Sequence, residues 1–369
     1  MKYYLIAGEA SGDLHGSKLI AALKDKDPKA QIRFWGGDRM QQAGGTLVKH
    51  FKTLAFMGFW EVLIHLRTIL KNIHFCKKDI TAFQPDVIVY IDYPGFNLRI
   101  AQWAKKQGFK NHYYISPQVW AWKESRVQQM KKNLDALYVI LPFEKEFFEK
   151  KHHFKVSFVG HPLLDTLTPK KKIHGFVEQN QLSSTRELIA LLPGSRKQEI
   201  KKMLPIFLEI AARFPHYQFV VAGAPNLESQ WYARFIKDHP VRLIQNKTHD
   251  LLLHAKAALV SSGTATLETA LLNIPQVVCY RSSFISYQIA KRLVKLKYIS
   301  LVNLILDRAV VKELIQYDFT PDRLTQQLEY ILSPTGAKKI KADYKVLRNT
   351  LGRGGASDKT AQHIIDALQ

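Results

Sequence analysis

The chain has 369 residues, and its composition, 46% hydrophobic and 23% charged, is that of a globular protein and not of a disordered one. Its formal net charge of +23 favours anionic partners such as nucleic acid, acidic lipid or phosphorylated substrates. The two cysteines, Cys76 and Cys279, lie far apart, which argues against a disulfide scaffold and a zinc site and fits a reducing cytoplasm. No stretch reaches the ~18 apolar residues that a transmembrane helix needs, so any membrane contact is expected to be peripheral.

Short apolar strands alternate with amphipathic helices along the chain, which predicts an α/β fold with parallel sheets and helices on both faces. A polar stretch at 166–183, with proline and a lysine run, interrupts the alternation and is interpreted as a linker. We expect two Rossmann-like, doubly wound domains, 1–165 and 184–345, a helical tail at 346–369, and an interdomain cleft faced by the carboxyl ends of the strands. The predicted strands are Tyr3–Ala7, Ile32–Trp35, Val87–Ile91, His112–Ile115, Ala136–Ile140 and Ser157–Val159, then Leu188–Leu192, Gln218–Val221, Val241–Ile244, Ala257–Val260 and Gln276–Tyr280.

A glycine-rich turn follows the first predicted strand. Gly8, Gly12 and Gly16 allow a tight strand-to-helix turn and the close approach of a ligand, which makes Ser11 and Gly12 candidate binding residues. The spacing by four differs from the dinucleotide-binding fingerprint. The structural alternative is a simple turn in which Ser11 or Asp13 caps the helix.

A carboxylate follows the most apolar of the predicted strands. Asp92 comes directly after Val87–Ile91, at the sheet edge where a general base would be needed. The alternative is an aspartate that caps a helix or orders the loop.

Two turns in the second domain are typical of phosphate-binding sites. In the first, a glycine precedes Ser195 and Arg196 at the start of a helix, so that backbone N–H groups, a hydroxyl and a guanidinium could hold a phosphate. In the second, small residues let a helix N-terminus approach a diphosphate, and Glu268 could hold ribose hydroxyls. Capped helix starts are the alternative for both, but two such turns in one domain favour a ligand. The second turn comprises Ser262, Gly263, Thr264, Ala265 and Thr266.

The helix predicted over residues 57–78 carries two apolar stripes. The core stripe is predicted to include Leu70 and Ile73. A second patch, edged by cations, is typical of a helix at a membrane interface, although burial on two sides would explain it too. That membrane-contact patch comprises Met57, Trp60, Ile64, Arg67 and Lys71, and a similar basic stretch lies at 286–297.

Other chemistries have little support in the sequence. The histidines show no metal-binding spacing, so no metal is expected, and His161 is interpreted as a loop residue. Ser195 and Ser262 lack the context of a hydrolase nucleophile. Lys and Arg are spread along the chain without a nucleic-acid-binding motif, so no nucleic-acid partner is expected.

Taken together, these motifs resemble the lipid-A-disaccharide synthases, glycosyltransferases of the GT-B fold. The matching segments run from residue 7 to about 305 in the family's order, and that ordered set is far more specific than any one motif. They are GEASGDLHG, MGFWEVL, IDYPGFNLRIA, SPQVWAWKESRV, LPFEKEFF, LLPGSRKQEI, SSGTATLETAL, VVCYR and YISLVNLI.

The resemblance implies a set of site residues. Asp92 becomes the catalytic residue, and Asn97, Arg196, Arg281 and Asn303 join the substrate-binding residues, with the donor turn at 262–266 and Glu268. Many relatives have a second acid where this chain has Gly95, so Asp92 carries the charge alone.

The resemblance also implies the reaction. UDP-2,3-diacylglucosamine and 2,3-diacylglucosamine 1-phosphate would give the β(1→6)-linked disaccharide 1-phosphate and UDP, with inversion, as a step of lipid A biosynthesis. The enzyme would work without a metal, on the cytoplasmic face of the anionic inner membrane. The sequence does not decide whether it forms a homodimer. A nucleotide-sugar epimerase of the same fold is the alternative.

Overall fold

A computed structural model describes residues 1–53, 66–167, 172–283, 287–288, 292 and 296–369. The chain divides into two compact units, one formed by Met1–Asp165 with Arg353–Gln369 and the other by Thr166–Gly352. Within the described ranges, no helix is long and apolar enough to cross a bilayer.

Each unit is built on a parallel sheet. In the described part of the first unit the strand order is β3-β2-β1-β4-β5-β6-β7, and in the second it is β10-β9-β8-β11-β12-β13. Both orders reverse direction beside the unit's first strand, which confirms the doubly wound α/β prediction. The strands are β1 Lys2–Ala7, β2 Gln31–Gly36, β3 Thr46–His50, β4 Val87–Ile91, β5 Asn111–Tyr114, β6 Ala136–Val139, β7 Ser157–Phe158, β8 Leu188–Leu192, β9 Gln218–Gly223, β10 Val241–Gln245, β11 Ala255–Ser261, β12 Gln276–Tyr280 and β13 Lys312–Ile315.

Helices connect the strands and cover both faces of the sheets. The first unit holds α1 Ala10–Lys26, α2 Asp38–Gln42, α3 Leu66–Phe83, α4 Pro94–Lys106, α5 Arg126–Asn133, α6 Pro142–Glu146 and α7 Leu163–Thr166, whose last residue begins the second unit. The second unit continues with α8 Phe176–Gln179, α9 Lys197–Arg213, α10 Ser229–Ile236, α11 Thr248–His254, α12 Thr264–Leu271, α13 Leu301–Leu306, α14 Pro321–Leu332 and α15 Pro334–Leu351, and α16 Ala356–Asp366 ends the chain in the first unit. Phe51–Thr53 forms a 3₁₀ turn and Phe147–Lys151 a π-helical turn.

The core of the first unit lies on both faces of its sheet. Along β1, Tyr4 and Ile6 pack into one cluster, whereas Tyr3 and Leu5 pack into the other, since alternate side chains of a strand point to opposite faces. All five residues of Val87–Ile91 are buried, which is why this central parallel strand is a continuous apolar run.

The two strands that the sequence did not predict are both at sheet edges. Thr46–His50 and Lys312–Ile315 each pair on one side only among the described strands and are less buried than the central strands. A half-covered strand keeps polar residues and so lacks the apolar run that identifies a central strand.

The break after Asp165 coincides with the predicted end of the first domain at 165, whereas the later boundaries differ from the predicted ones. In the segment interpreted as a linker, Phe176 is buried and stacks on His254 with ring centroids 4.4 Å apart, so residues 172–183 pack with the second unit. The boundary at 345/346 falls inside helix α15. The final helix, α16, packs on α1 and places Ile364 in the core of the first unit.

Candidate active site

The loop after β4 holds Asp92 in a strained backbone conformation. Asp92 and Tyr93 have φ angles of 47° and 52°, both left-handed, and each such residue costs on the order of 1–3 kcal/mol. The Asp92 carbonyl accepts hydrogen bonds from Tyr113 Oη at 2.5 Å and Asn97 Nδ2 at 2.7 Å. These bonds fix the backbone through the Asp92 carbonyl and do not engage its carboxylate.

Burial is the main influence on the Asp92 carboxyl. It raises the pKa from 3.8 to about 6; the negative charge of Glu9 acts in the same direction, and a hydrogen bond from the Tyr93 N–H opposes both. Such a carboxylate is still ionised at neutral pH, but it is a stronger base than an ordinary aspartate. A pKa near the working pH is what a general base needs.

Asn97 supports this loop from the core. Its side chain is fully buried, and its Nδ2 donates to the carbonyls of Asp92 and, at 3.3 Å, of Ile6. The amide therefore ties the ends of β1 and β4 together in this structure.

The glycine-rich turn after β1 serves the same loop. A Cβ on Gly8 would lie 2.3 Å from the Tyr93 ring, so glycine is what lets Tyr93 pack there. Gly12 is buried, and a Cβ on it would lie 3.0 Å from the Cβ of Ala7, which indicates close helix–strand packing. Ser11 is exposed.

Asp13 caps a helix, though not the one that contains it. Its carboxylate accepts from the N–H groups of Gly37 at 2.7 Å and Met40 at 3.1 Å, at the N-terminus of α2. This buried carboxylate therefore joins the glycine-rich turn to the chain that follows β2.

In the second unit, the two predicted phosphate turns lie side by side. They follow β8 and β11, which pair in parallel with Leu192 opposite Val260. Glu199 links them, since its Oε2 accepts from the Ser195 N–H at 3.1 Å and its Oε1 accepts from Ser261 Oγ at 2.5 Å. The sequence reasoning missed Glu199, although its place one helical turn after Ser195 is typical of an acid that caps a helix start.

Gly194 makes this link sterically feasible. Its φ angle is +115°, and a Cβ there would lie 2.2 Å from the Glu199 carboxylate. Ser195 and Arg196, which follow it, are both exposed.

Helix α12 begins at the second turn with an open N-terminus. Gly263 is exposed, and a Cβ on it would meet no atom within 4 Å, so a ligand has access to the backbone there. Thr264 is exposed and Ala265 half-buried, whereas Thr266 is buried and its Oγ1 donates to the Gly263 carbonyl. The positive end of the helix dipole favours an anion at this point.

Glu268 and Arg281 lie near this turn, and both are half-buried. Glu268 is half-buried, with its Oε2 3.5 Å from His249 Nε2. Arg281 directly follows β12, and its guanidinium lies 5.9 Å from the Phe319 ring centroid.

Asn303 is not exposed to a ligand in this structure. It is buried; its Nδ2 donates to the Val311 carbonyl and to Glu313, and its Oδ1 accepts from the N–H groups of Val310 and Val311. These four bonds use the full capacity of the amide.

Asn303 is linked to the turn at 262–266 indirectly, through Glu313. That carboxylate also accepts from the N–H groups of Ile299 and Ser300, and the Ile299 carbonyl accepts from Ser262 Oγ at 3.1 Å. Glu313, which the sequence reasoning missed because it lies on an unpredicted edge strand, thus holds the loop that supports Ser262.

The predicted membrane-contact patch is described only in part. Met57, Trp60 and Ile64 lie outside the described residues, whereas Arg67 and Lys71 are exposed on α3. The structure corrects one detail of the core stripe, because Leu70 is 54% exposed. It lies beside these two cations, which gives the exposed face of α3 an apolar as well as a basic character.

Metal-binding clusters and cavities bear on the location of the site. Across the described residues, no group of three or more His, Cys, Asp or Glu side chains could hold a metal ion. A cavity of about 500 Å³ lies near the starts of β9 and β10, at the opposite edge of the sheet from the two turns. Ligands of parallel α/β sheets bind at the carboxyl edge, so this cavity is not the expected substrate site.

Solved structures share this two-sheet architecture. A UDP-GlcNAc 2-epimerase from Neisseria meningitidis, bound to UDP-GlcNAc, aligns with a TM-score of 0.70 over 99% of this chain and 100% of its own, at 14% identity. The glycosyltransferase of kitacinnamycin aligns with a TM-score of 0.67 over 100% and 99%, also at 14% identity. The fold is therefore that of the GT-B glycosyltransferases and related sugar-nucleotide epimerases.

Sequence comparison identifies the family. The model of the lipid-A-disaccharide synthetases matches residues 3–365, and this chain belongs to that family. A lipid-A-disaccharide synthase from Syntrophus aciditrophicus is 40% identical, covering 97% of this chain and 95% of its own. Relatives of the same name from Geobacter metallireducens and Coxiella burnetii are 36% and 37% identical, covering 99% and 98% of this chain and 96% of their own lengths. The resemblance stated on the motifs is thus confirmed.

Proposed function

We propose that this chain transfers 2,3-diacylglucosamine from UDP to the 6-hydroxyl of 2,3-diacylglucosamine 1-phosphate, forming the β(1→6)-linked disaccharide 1-phosphate and UDP. The observation that carries the proposal is the family match over residues 3–365. The geometry supports it, because the first unit contains the Asp92 carboxylate of raised pKa and the second contains two adjacent turns suited to binding an anion.

Asp92 acts as the general base. The donor sugar is α-linked and the product β-linked, so a single inverting displacement is sufficient. The proton of the acceptor hydroxyl passes to Asp92, the hydroxyl oxygen bonds to C1 of the donor sugar, and the bond from C1 to the UDP oxygen breaks. A base of pKa about 6 is ready to accept this proton at neutral pH.

The second unit binds UDP. The open N-terminus of α12 at Gly263 and the turn at Ser195 and Arg196 hold the diphosphate and stabilise its charge as it leaves. Glu268 accepts hydrogen bonds from the ribose hydroxyls. Asn303 supports this site through the loop beneath Ser262.

The protein works at a membrane surface. Both substrates carry acyl chains, and Arg67 and Lys71 accompany the exposed Leu70 on α3. Apolar contact and attraction of cations to anionic lipid together give reversible binding to the cytoplasmic face of the inner membrane.

One assay separates this function from the epimerase alternative. UDP release from UDP-2,3-diacylglucosamine is measured with and without 2,3-diacylglucosamine 1-phosphate. A transferase releases UDP only when the acceptor is present, with the disaccharide formed in equal amount. UDP release that ignores the acceptor, or an isomerised donor sugar, would contradict the proposal.

A further inference from the structure

The loop between β5 and α5 is held firmly by one side chain. Trp120 donates from Nε1 to Glu144 Oε1 at 3.1 Å and packs edge-on against Phe143 at 4.9 Å between centroids. Glu144 is itself buried, and its Oε2 accepts from the N–H groups of Ile140 and Leu141. The position of this loop is therefore set by the interior of the first unit.

Beyond this anchor, the end of the loop and the first residue of α5 present an aromatic ring and two cations. Trp122 is 45% exposed, with Lys123 Nζ 4.3 Å and Arg126 Cζ 5.8 Å from its ring centroid. A cation over an exposed ring is a common surface feature, and by itself it indicates little. Two cations beside the same ring are less usual, because their positive charges repel each other.

No acid neutralises this pair in the part of the chain that the structure describes. The acid next to it, Glu124, is engaged by Lys151 at 2.7 Å and by His152 at 3.0 Å instead. Partial burial lowers the pKa of Lys123, and the charge of Arg126 acts in the same direction. An anion bound between the two cations would relieve this repulsion.

The pair lies at the sheet edge that carries the base. Strand β5 pairs with β4, with Tyr114 opposite Ile91, so the loop and Asp92 follow neighbouring strand ends. Tyr113 donates its hydroxyl to the Asp92 carbonyl. The charges of Asp92 and Arg126 both act on the pKa of this hydroxyl. Burial raises its pKa well above the ordinary value, the charge of Asp92 acts in the same direction, and the charge of Arg126 opposes it.

We propose that Lys123 and Arg126, beside the Trp122 ring, bind the phosphate monoester of the acceptor sugar. This inference rests on the proposed function and adds the subsite that orients the acceptor hydroxyl towards Asp92. A guanidinium can form a two-pronged pair with a phosphate, and an ammonium adds a point charge. The indole covers one side of the cations and keeps water from that side, which strengthens their attraction for the anion.

The test compares two acceptors, 2,3-diacylglucosamine with and without its 1-phosphate. For Arg126→Gln and Lys123→Gln, we expect the KM for the phosphorylated acceptor to rise about ten- to a hundred-fold, as for the loss of a hydrogen bond to a charged group. The KM for the phosphate-free acceptor should stay that of wild type. Lys132→Gln, an exposed cation at the other end of α5, is the matched control and should change neither value.

Other results would overturn the inference. An equal loss with both acceptors would make the two cations structural, and no loss would make them surface charges. If the variants sedimented less with phosphatidylglycerol vesicles while their KM values for the two acceptors changed equally, the two cations would bind lipid headgroups instead. If the wild-type enzyme transferred sugar to neither acceptor, the proposed function would fail and the subsite with it, whereas an active wild type with unaffected variants would remove the subsite alone.

Discussion

Replacing Asp92 with asparagine removes the base and keeps the shape of the loop, since the backbone bonds from Tyr113 and Asn97 go to the Asp92 carbonyl and not to its side chain. Turnover should fall by ~10²-fold or more, which is typical of the loss of a positioned base. UDP affinity should change little, because the proposed donor residues lie in the other unit.

Although Asp92→Asn should lower turnover, the raised pKa of Asp92 predicts that the same variant increases the stability of the fold. A shift from 3.8 to about 6 corresponds to a preference of about 3 kcal/mol for the neutral carboxyl in the folded state. Because the folded-state pKa is the higher one, ionised Asp92 costs stability above pH 6, and this cost disappears below about pH 4, where the group is protonated in both states. Asp92→Asn should therefore be more stable than wild type at pH 8, by up to about 3 kcal/mol, and not at pH 3.5.

Two measurements check this reasoning. Denaturant unfolding at both pH values tests stability, and the pH profile of kcat/KM tests the base. In wild type the profile should fall about tenfold per unit below pH 6, and Glu9→Gln should move this limb to lower pH, since the Glu9 charge raises the pKa of Asp92. Near-normal turnover of Asp92→Asn, or a limb that Glu9→Gln moves upward, would refute the assignment.

Glu199→Ala should weaken UDP binding about tenfold in calorimetry, because two hydrogen bonds that order the turns are lost, whereas Glu199→Gln should retain more of the affinity. Tighter UDP binding by the alanine variant would show instead that the carboxylate competes with the diphosphate. Activity should survive excess EDTA, and loss on chelation with recovery on magnesium would contradict a metal-free mechanism. Joint replacement of Met57, Trp60 and Ile64 by serine should release the protein from anionic vesicles at unchanged UDP affinity; a variant that unfolds would place these residues in the core, and full co-sedimentation would place the docking surface elsewhere.

The sequence by itself determined the class of fold and the position of the main chemical groups. The run Val87–Ile91 is buried along its whole length, as a central parallel strand requires, and the carboxylate of Asp92 comes at its end. The turns at Ser195 and Gly263 likewise follow predicted strands. Periodicity and turn chemistry depend on neighbours in the chain, so a single sequence contains them.

Only the tertiary structure decided which of these groups meet. Asp13 caps a helix that starts 25 residues later, and Glu199 bonds Ser261 across two adjacent strands. Neither partnership has a sequence pattern, because it depends on the order of strands in the sheet.

The same reason accounts for the residues whose interpretation changed. Leu70 has the spacing of a core residue but is exposed. Asn303 lies in a motif typical of binding residues, but its amide groups already bond to Glu313 and the backbone. Edge strands are less buried than central ones, and the last helix returns to the first unit across nearly the whole chain. A side chain's neighbours in space, and hence its pKa and its free hydrogen-bonding groups, are set only when distant segments pack together.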